Sequence, residues 1–288
     1  MQILSDLQLP GGTRTSIQGA AADDDGSPVL LLLPAMGVAA GYYGPFIDAL
    51  AAEGVTAAVV DYPGQGESRP VVGRRHDYGY GALATAWLDA AAQALAETSP
   101  GRPVVLAGHS LGGQVLLTRL ARRSTEVAGA VLIGSGSPYW RAQPSPLTIL
   151  VQTQTMATVT ALLRFWPGHR IGFGGRQPRT LVAEWARFAR SGVLAPDGAA
   201  VEPRLVDVEV PLLAIDLDND ELAPPGSVDH LVSKLPRASV DRWRFRKDDG
   251  APGRPVDHYS FARSPQGLVE KVAGWVRALD QPRAAQTS

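Results

Sequence analysis

Short apolar runs recur along this chain, each followed by a stretch of helical periodicity, and that alternation excludes most architectures. Residues 29–33, 55–61, 104–107 and 127–134 read as strands, with 43–53, 80–97 and 111–123 as helices between them. In 80–97, Leu83, Trp87, Leu88, Ala91 and Leu95 share one side, the stripe that an amphipathic helix presents to a core. Strands apolar on both faces and joined by helices predict a mostly parallel, doubly wound α/β sheet with ligands at the carboxyl ends of its strands. The rhythm resumes late in the chain, with strands at 210–217 and 239–245 and a final helix at 266–279.

Between residues 137 and 205 the rhythm breaks. Helical stretches at 149–165 and 179–190 follow one another with no strand between them. Trp140, Met156, Phe165, Trp166, Trp185 and Phe188 need an apolar partner there. The expectation is a helical cap, 137–205, inserted into a core made of 1–136 and 206–288, the alternative being extra helices packed on the outside of the core. Residues 19–28 read as a loop and 280–288 as a frayed tail.

Charge and composition narrow the function classes. The 27 basic and 28 acidic residues leave a net charge of −1, which gives no field for nucleic acid or an anionic membrane. Cysteine is absent, which removes a thiol nucleophile, disulfides and thiolate metal sites. No transmembrane segment and no secretory leader are expected, so a cytoplasmic location is the default. No spacing suits a zinc site, and Asp216-x-Asp218-x-Asp220 fails as a calcium loop because Glu221 stands where glycine is needed. No metal and no cofactor are expected.

The chemistry concentrates where the run at 104–107 meets the helix at 111–123, in Gly108-His109-Ser110-Leu111-Gly112. Glycines at 108 and 112 free a strand–turn–helix of clashing side chains, so it can push the Ser110 hydroxyl into the open. The helix N-terminus beside it favours developing negative charge. Ser110 is the candidate nucleophile. A hydroxyl needs a base, and a base needs a group that holds its tautomer. Of the histidines, His109 should point away from Ser110, His230 falls in a helix at 227–235, and His76 and His169 sit in loops beside arginines. His258, in the Gly/Pro-rich loop after the last strand, can swing over the elbow and is the candidate base. The acid follows another strand end, among Asp216, Asp218, Asp220 and Glu221.

Over nearly its whole length the chain resembles an α/β-hydrolase. The resemblance rests on LLLLPAMGVAAGYY after the third strand, DYPGQGES at 61–68, GHSLGG at 108–113, and the chain order Ser, Asp, His. It implies Asp220 as the acid, since Pro224 follows four residues on, with Asp218 as the runner-up. It also implies an oxyanion hole from the backbone N–H groups of Met36 and Leu111. Pro34-Ala35 stands where many relatives have His-Gly, a change that leaves a backbone donor in place. A serine at the elbow argues against dehalogenase and epoxide hydrolase branches, and the PAMG start with a cap looks most like lysophospholipase- or monoacylglycerol-lipase-like members. The implied activity is a serine hydrolase of carboxylic esters acting through an acyl-enzyme on a small-molecule acyl substrate with an apolar part. Thioesterase, amidase or acyltransferase chemistry on the same triad and a non-catalytic binding protein are the alternatives. The oligomeric state is left open.

Overall fold

The computed structural model describes residues 1–23 and 26–279, so the tail expected at 280–288 lies outside the described residues, as do positions 24 and 25 of the loop. The chain runs β1 (Gln2–Leu9), β2 (Thr13–Ala20), β3 (Val29–Leu33), α1 (Gly44–Ala52), β4 (Ala57–Val60), α2 (Tyr80–Ala82), α3 (Leu88–Thr98), β5 (Val104–His109), α4 (Leu111–Arg123) and β6 (Gly129–Ile133). It continues through α5 (Pro146–Leu163), β7 (Phe165–Pro167), β8 (Arg176–Pro178), α6 (Arg179–Ser191), α7 (Glu202–Leu205), β9 (Leu212–Leu217), α8 (Pro225–Val232), β10 (Val240–Phe245) and α9 (Leu268–Ala278).

Eight strands form the central sheet in the order β1-β2-β4-β3-β5-β6-β9-β10. From β4 to β10 all neighbours are parallel, whereas β2 is antiparallel to both β1 and β4. The two-residue period of β3 explains the double winding. Leu31 and Leu33 pack on one face with Leu83, Trp87 and Leu116. Leu30 and Leu32 pack on the other with Phe46, Leu50 and Val272. Burying each such leucine contributes about 1.5–3 kcal/mol, so a strand loaded on both faces is strongly committed to the sheet's centre.

Three expectations need correction. Residues 19 and 20 are not loop but the end of β2, which pairs with β1 around a turn where Gly11 and Gly12 take φ of 80° and 78°. The helix expected to reach Phe165 stops at Leu163, because Arg164 takes φ 67° and turns the chain out of the helix. The insertion is also not purely helical. Phe165–Pro167 and Arg176–Pro178 form an antiparallel ribbon, stitched by Trp166 Nε1 donating to Phe173 O at 2.9 Å. The helix expected at 80–97 is continuous but widens to a π turn at Leu83–Trp87, where the Trp87 indole donates to Asp61 O at 3.0 Å.

The aromatic residues of the insertion divide between two cores. Met156, Trp166 and Val182 form a small cluster against Met36 and Trp185, and Phe188 joins the main core with Leu181, Leu194 and Leu205. Among the described residues no helix is long and apolar enough to cross a membrane.

Candidate active site

Ser110 sits between β5 and α4 with φ 53° and ψ −116°, a conformation that costs a non-glycine residue about 1–3 kcal/mol. Its neighbours make that strain tolerable. A Cβ on Gly112 would lie 2.1 Å from Leu33 O, and one on Gly108 would lie 2.4 Å from Gly113 N. The glycines therefore let α4 start against the end of β3, and Ser110 N is held by Ile133 O at 3.2 Å. The side chain opens onto a cavity of about 590 Å³ at the carboxyl ends of the strands.

His258 is on the wall of the same cavity, and among the described histidines no other lines it. Its Nδ1 lies 2.7 Å from Asp220 Oδ2. The other carboxylate oxygen of Asp220 accepts the N–H groups of Leu222 at 2.9 Å and Ala223 at 2.8 Å. With its side chain wholly out of solvent, Asp220 is thus oriented by backbone donors, and charge-assisted bonds of this kind exceed neutral ones in strength. Nδ1 being engaged, Nε2 is the ring nitrogen left for the cavity. Gly134, at φ 49°, leaves the space: a Cβ there would lie 2.9 Å from Asp220 Oδ2.

The rival residues lie elsewhere. Asp218 pairs with Arg244 at 3.2 Å and Asp216 with Arg242 at 2.6 Å, both arginines projecting from β10. Burial pushes the Asp216 carboxyl up, against the pull of Arg242. Glu221 is exposed at the cavity rim. His230 stacks on Tyr139 at 4.8 Å, His76 lines a separate cavity beside Asp77, and His169 is exposed. His109 points behind the elbow, fully buried, with Nδ1 2.8 Å from the Tyr43 hydroxyl. Burial, with His258 beside it, holds its pKa well below 6.5.

Met36 and Leu111 both line the cavity next to Ser110. Leu111 is the first residue of α4, where N–H groups have no intrahelical partner. The Met36 N–H donates to no protein acceptor among the described residues. Its loop is fixed by residues to which the sequence analysis assigned no role. Tyr43 Oη accepts from Ala35 N at 2.9 Å, and the Tyr62 hydroxyl donates to Pro34 O at 2.9 Å. Asp61 accepts the N–H of Ala40 at 2.7 Å and of Glu67 at 2.9 Å, its carboxyl pushed up by burial. The DYPGQGES turn closes around this carboxylate: a Cβ on Gly66 would fall 2.2 Å from Asp61 Oδ1. On the far side, Gly37 at φ 75° touches the ribbon turn, where a Cβ would lie 2.3 Å from Gly174 C.

The rest of the wall is largely apolar, with Met156, Trp166, Trp185, Phe173 and Leu222 in it. Such a site can hold an apolar group while presenting a hydroxyl, an imidazole–carboxylate pair and free backbone donors at one end.

The model of the family described as "Serine aminopeptidase, S33" matches residues 26–243. A pimeloyl-[acyl-carrier protein] methyl ester esterase from Nitrosomonas europaea is 26% identical over 201 residues, covering 63% of this chain and 73% of that protein. Among solved structures, a thermophilic esterase from Thermogutta terrifontis superposes with a TM-score of 0.64 at 17% identity, covering 96% of this chain and 99% of the other. A monoacylglycerol lipase from Paleococcus ferrophilus gives 0.61 at 15% identity, covering 92% and 98%.

Proposed function

Because the chain belongs to the serine aminopeptidase S33 family of α/β hydrolases, we propose that it hydrolyses carboxylic esters with an apolar acyl group, using Ser110, His258 and Asp220. The observation that carries this reading is the 2.7 Å contact between His258 Nδ1 and Asp220 Oδ2 on the wall of the cavity that Ser110 opens onto.

In this reading His258 Nε2 takes the proton of Ser110 as its oxygen attacks the ester carbonyl. Asp220 holds the tautomer and stabilises the imidazolium that forms. The tetrahedral oxyanion receives the N–H groups of Met36 and Leu111, and one such donor is worth on the order of 3–4 kcal/mol in the transition state. Collapse of the intermediate breaks the bond to the alcohol oxygen, which leaves with the proton from His258. Water, deprotonated by the same imidazole, then attacks the acyl-enzyme and releases the acid. Residues 137–205 act as a lid whose apolar wall holds the acyl chain. The similarity to an esterase of a pimeloyl methyl ester and to a monoacylglycerol lipase supports the substrate class. Glu221 is the one carboxylate among the residues lining the cavity, and it stands exposed at the rim. An amino-terminal ammonium group would therefore find little to bind near Ser110, which favours esters over aminopeptidase substrates.

The test is labelling by a fluorophosphonate probe together with turnover of a chromogenic medium-chain ester. Ser110→Ala is expected to abolish both in folded protein. Undiminished labelling of that variant, or no turnover of any ester by the parent chain, would overturn the reading.

A further inference from the structure

The apolar wall of the cavity gives way to a polar floor. Gln114 is the fourth residue of α4, so its side chain leaves the same face of the helix as Ser110, about 6 Å further along the axis. It is 4% exposed and lines the cavity. Its Nε2 donates to Gly136 O at 2.8 Å, and its Oε1 accepts the hydroxyl of buried Tyr80. Gln143, from the segment before α5, is 8% exposed and lines the cavity as well. Its Nε2 donates to Ser137 O at 2.9 Å. An amide of the core and an amide of the insertion are therefore anchored on consecutive carbonyls. The segment that offers those carbonyls is pinned from behind. Ser137 N donates to Ser227 O at 2.8 Å, and a Cβ on Gly136 would lie 2.1 Å from Ser227 Oγ.

Each amide has capacity left over. An amide nitrogen carries two hydrogens, and Gln114 Nε2 uses one. Gln143 Oε1 accepts from no donor among the described residues and is not sealed in protein, which leaves it to the cavity that the residue lines. The two carbonyls fix both orientations, because a flipped amide would set oxygen against oxygen. The floor thus offers one donor and one acceptor, both without charge. Among the described residues lining the cavity there is no lysine or arginine to neutralise an anion, and Gln143 Oε1 would repel one. A bare alkyl end lodged there would leave both groups unpaired, the circumstance in which a polar site discriminates most strongly.

A group that satisfies the floor must accept from Gln114 and donate to Gln143 while staying neutral. A carboxamide does so with two atoms and a hydroxyl with one. In the ester hydrolase reading the acyl carbon is the part of the substrate bonded to Ser110, and the alcohol must leave by the mouth. The floor below Ser110 therefore falls to the acyl side. We infer that Gln114 and Gln143 form a subsite for an uncharged donor–acceptor group, a hydroxyl or a carboxamide, carried on the acyl chain. A plain alkyl chain can still lie along the Met156 and Trp166 wall, but it gains nothing from the floor. The placement on the acyl chain rests on the ester hydrolase reading above; the affinity of the floor for such a group does not depend on turnover.

The experiment keeps the two apart. Methyl esters from butanoyl to heptanoyl are compared, each chain ending in methyl, hydroxyl, carboxamide or carboxylate. In the parent chain the hydroxyl or carboxamide ester is expected to exceed the alkyl ester of matching length in kcat/KM by severalfold, with the carboxylate about tenfold or more behind. In Gln143→Leu, and separately in Gln114→Met, the alkyl ester should lead by about tenfold or more. Each comparison is a ratio within one protein, so it does not depend on how much of a variant folds. An alkyl or carboxylate ester ahead at every length in the parent chain overturns the inference. So does the parent order retained in either variant. If no ester is turned over, the ester hydrolase reading falls. The same esters are then titrated into Ser110→Ala, with binding followed by the fluorescence of Trp166 and Trp185 on the cavity wall. Tighter binding of the hydroxyl or carboxamide ester there sustains the subsite, and tighter binding of the alkyl ester at every length removes it.

Discussion

The imidazole of His109 lies 4.7 Å from that of His258, centroid to centroid, and the two rings meet opposite demands. His258 faces the cavity, where the proposed mechanism has it gain and lose a proton in each cycle. His109 is sealed behind the elbow. The Tyr43 hydroxyl already accepts the Ala35 N–H, so it turns its own proton toward His109 Nδ1.

A neutral buried histidine makes stability depend on pH with a definite sign. The unfolded chain takes a proton near 6.5 that the folded chain refuses until far lower. Stability from this site is complete above 6.5 and declines below it by about 1.4 kcal/mol per pH unit. In urea denaturation, the advantage of the parent chain over His109→Asn should shrink as pH falls from 7 to 5. An advantage independent of pH would contradict the buried neutral ring.

The acid is decided by comparing neighbours. Asp220→Asn removes the carboxylate from His258 Nδ1 and should lower kcat by on the order of 10⁴, by analogy with serine proteases. Asp218→Asn loses a half-exposed pair with Arg244 and should stay within about tenfold of the parent. Steady-state rates of the two variants, with folding checked by circular dichroism, separate the assignments. A dead Asp218→Asn beside a nearly normal Asp220→Asn would reverse them.

Gly112→Ala tests the elbow through sterics alone. Its Cβ would meet Leu33 O at 2.1 Å, and neither β3 nor α4 can yield without opening the core between them. The expected cost is about 3 kcal/mol or more, seen as a lowered midpoint in denaturant, with esterase turnover lost. Full activity in this variant would mean that α4 does not start against β3.

What could be read in the sequence was whatever rests on repetition or chain order. The apolar runs around Val29, Val104 and Leu212 marked central strands because both faces of such strands are buried. The turn motif points to Ser110 and the loop after the last strand to His258 as candidates, whereas only the resemblance separates Asp220 from Asp216, Asp218 and Glu221. The missed elements lack those signals. β1 is an edge strand with exposed polar positions, and its trace lay in the Pro10-Gly11-Gly12 turn rather than in any apolar run. The ribbon of β7 and β8 is three residues a side with a proline in each strand, a composition that reads as loop. Tyr43 and Tyr62 look like ordinary core aromatics in sequence. Their work is done by hydroxyls whose partners lie on other segments.

Glu184 couples the insertion to the core and should show it as a function of pH. Its carboxylate accepts Tyr80 N at 2.8 Å and Asp197 N at 2.6 Å, yet burial still raises its pKa above 4.5. A carboxyl raised on folding costs stability as pH climbs from the unfolded value through the folded one. Glu184→Gln keeps one acceptor and leaves one N–H unpaired, for a loss of about 1–3 kcal/mol. Because the glutamine does not titrate, the gap between parent and variant should narrow as pH rises from 4.5 through the folded value. Melting temperatures across that range would measure it, and a gap that widens would refute the assignment.

The acyl chain should register in the rates. Each methylene placed against the Met156 and Trp166 wall is worth about 1 kcal/mol, so kcat/KM is expected to rise severalfold per carbon from acetyl toward octanoyl esters. A flat series would mean that the chain does not lie in this cavity.

The meeting of Gly37 with Gly174 has a mechanical consequence. The two backbones meet at Gly37 and Gly174, with the Met36 side chain lying beside Gly174, so the seam between the loop and the ribbon turn has no room for a further side chain at Gly37. A shift of the ribbon turn toward Gly37 would meet backbone first and be felt at the peptide beside Met36. In the proposed mechanism, width of the entrance and aim of the Met36 N–H are therefore linked. Any substitution that fattens the seam at either glycine would detune the chemistry and leave Ser110, His258 and Asp220 where they are.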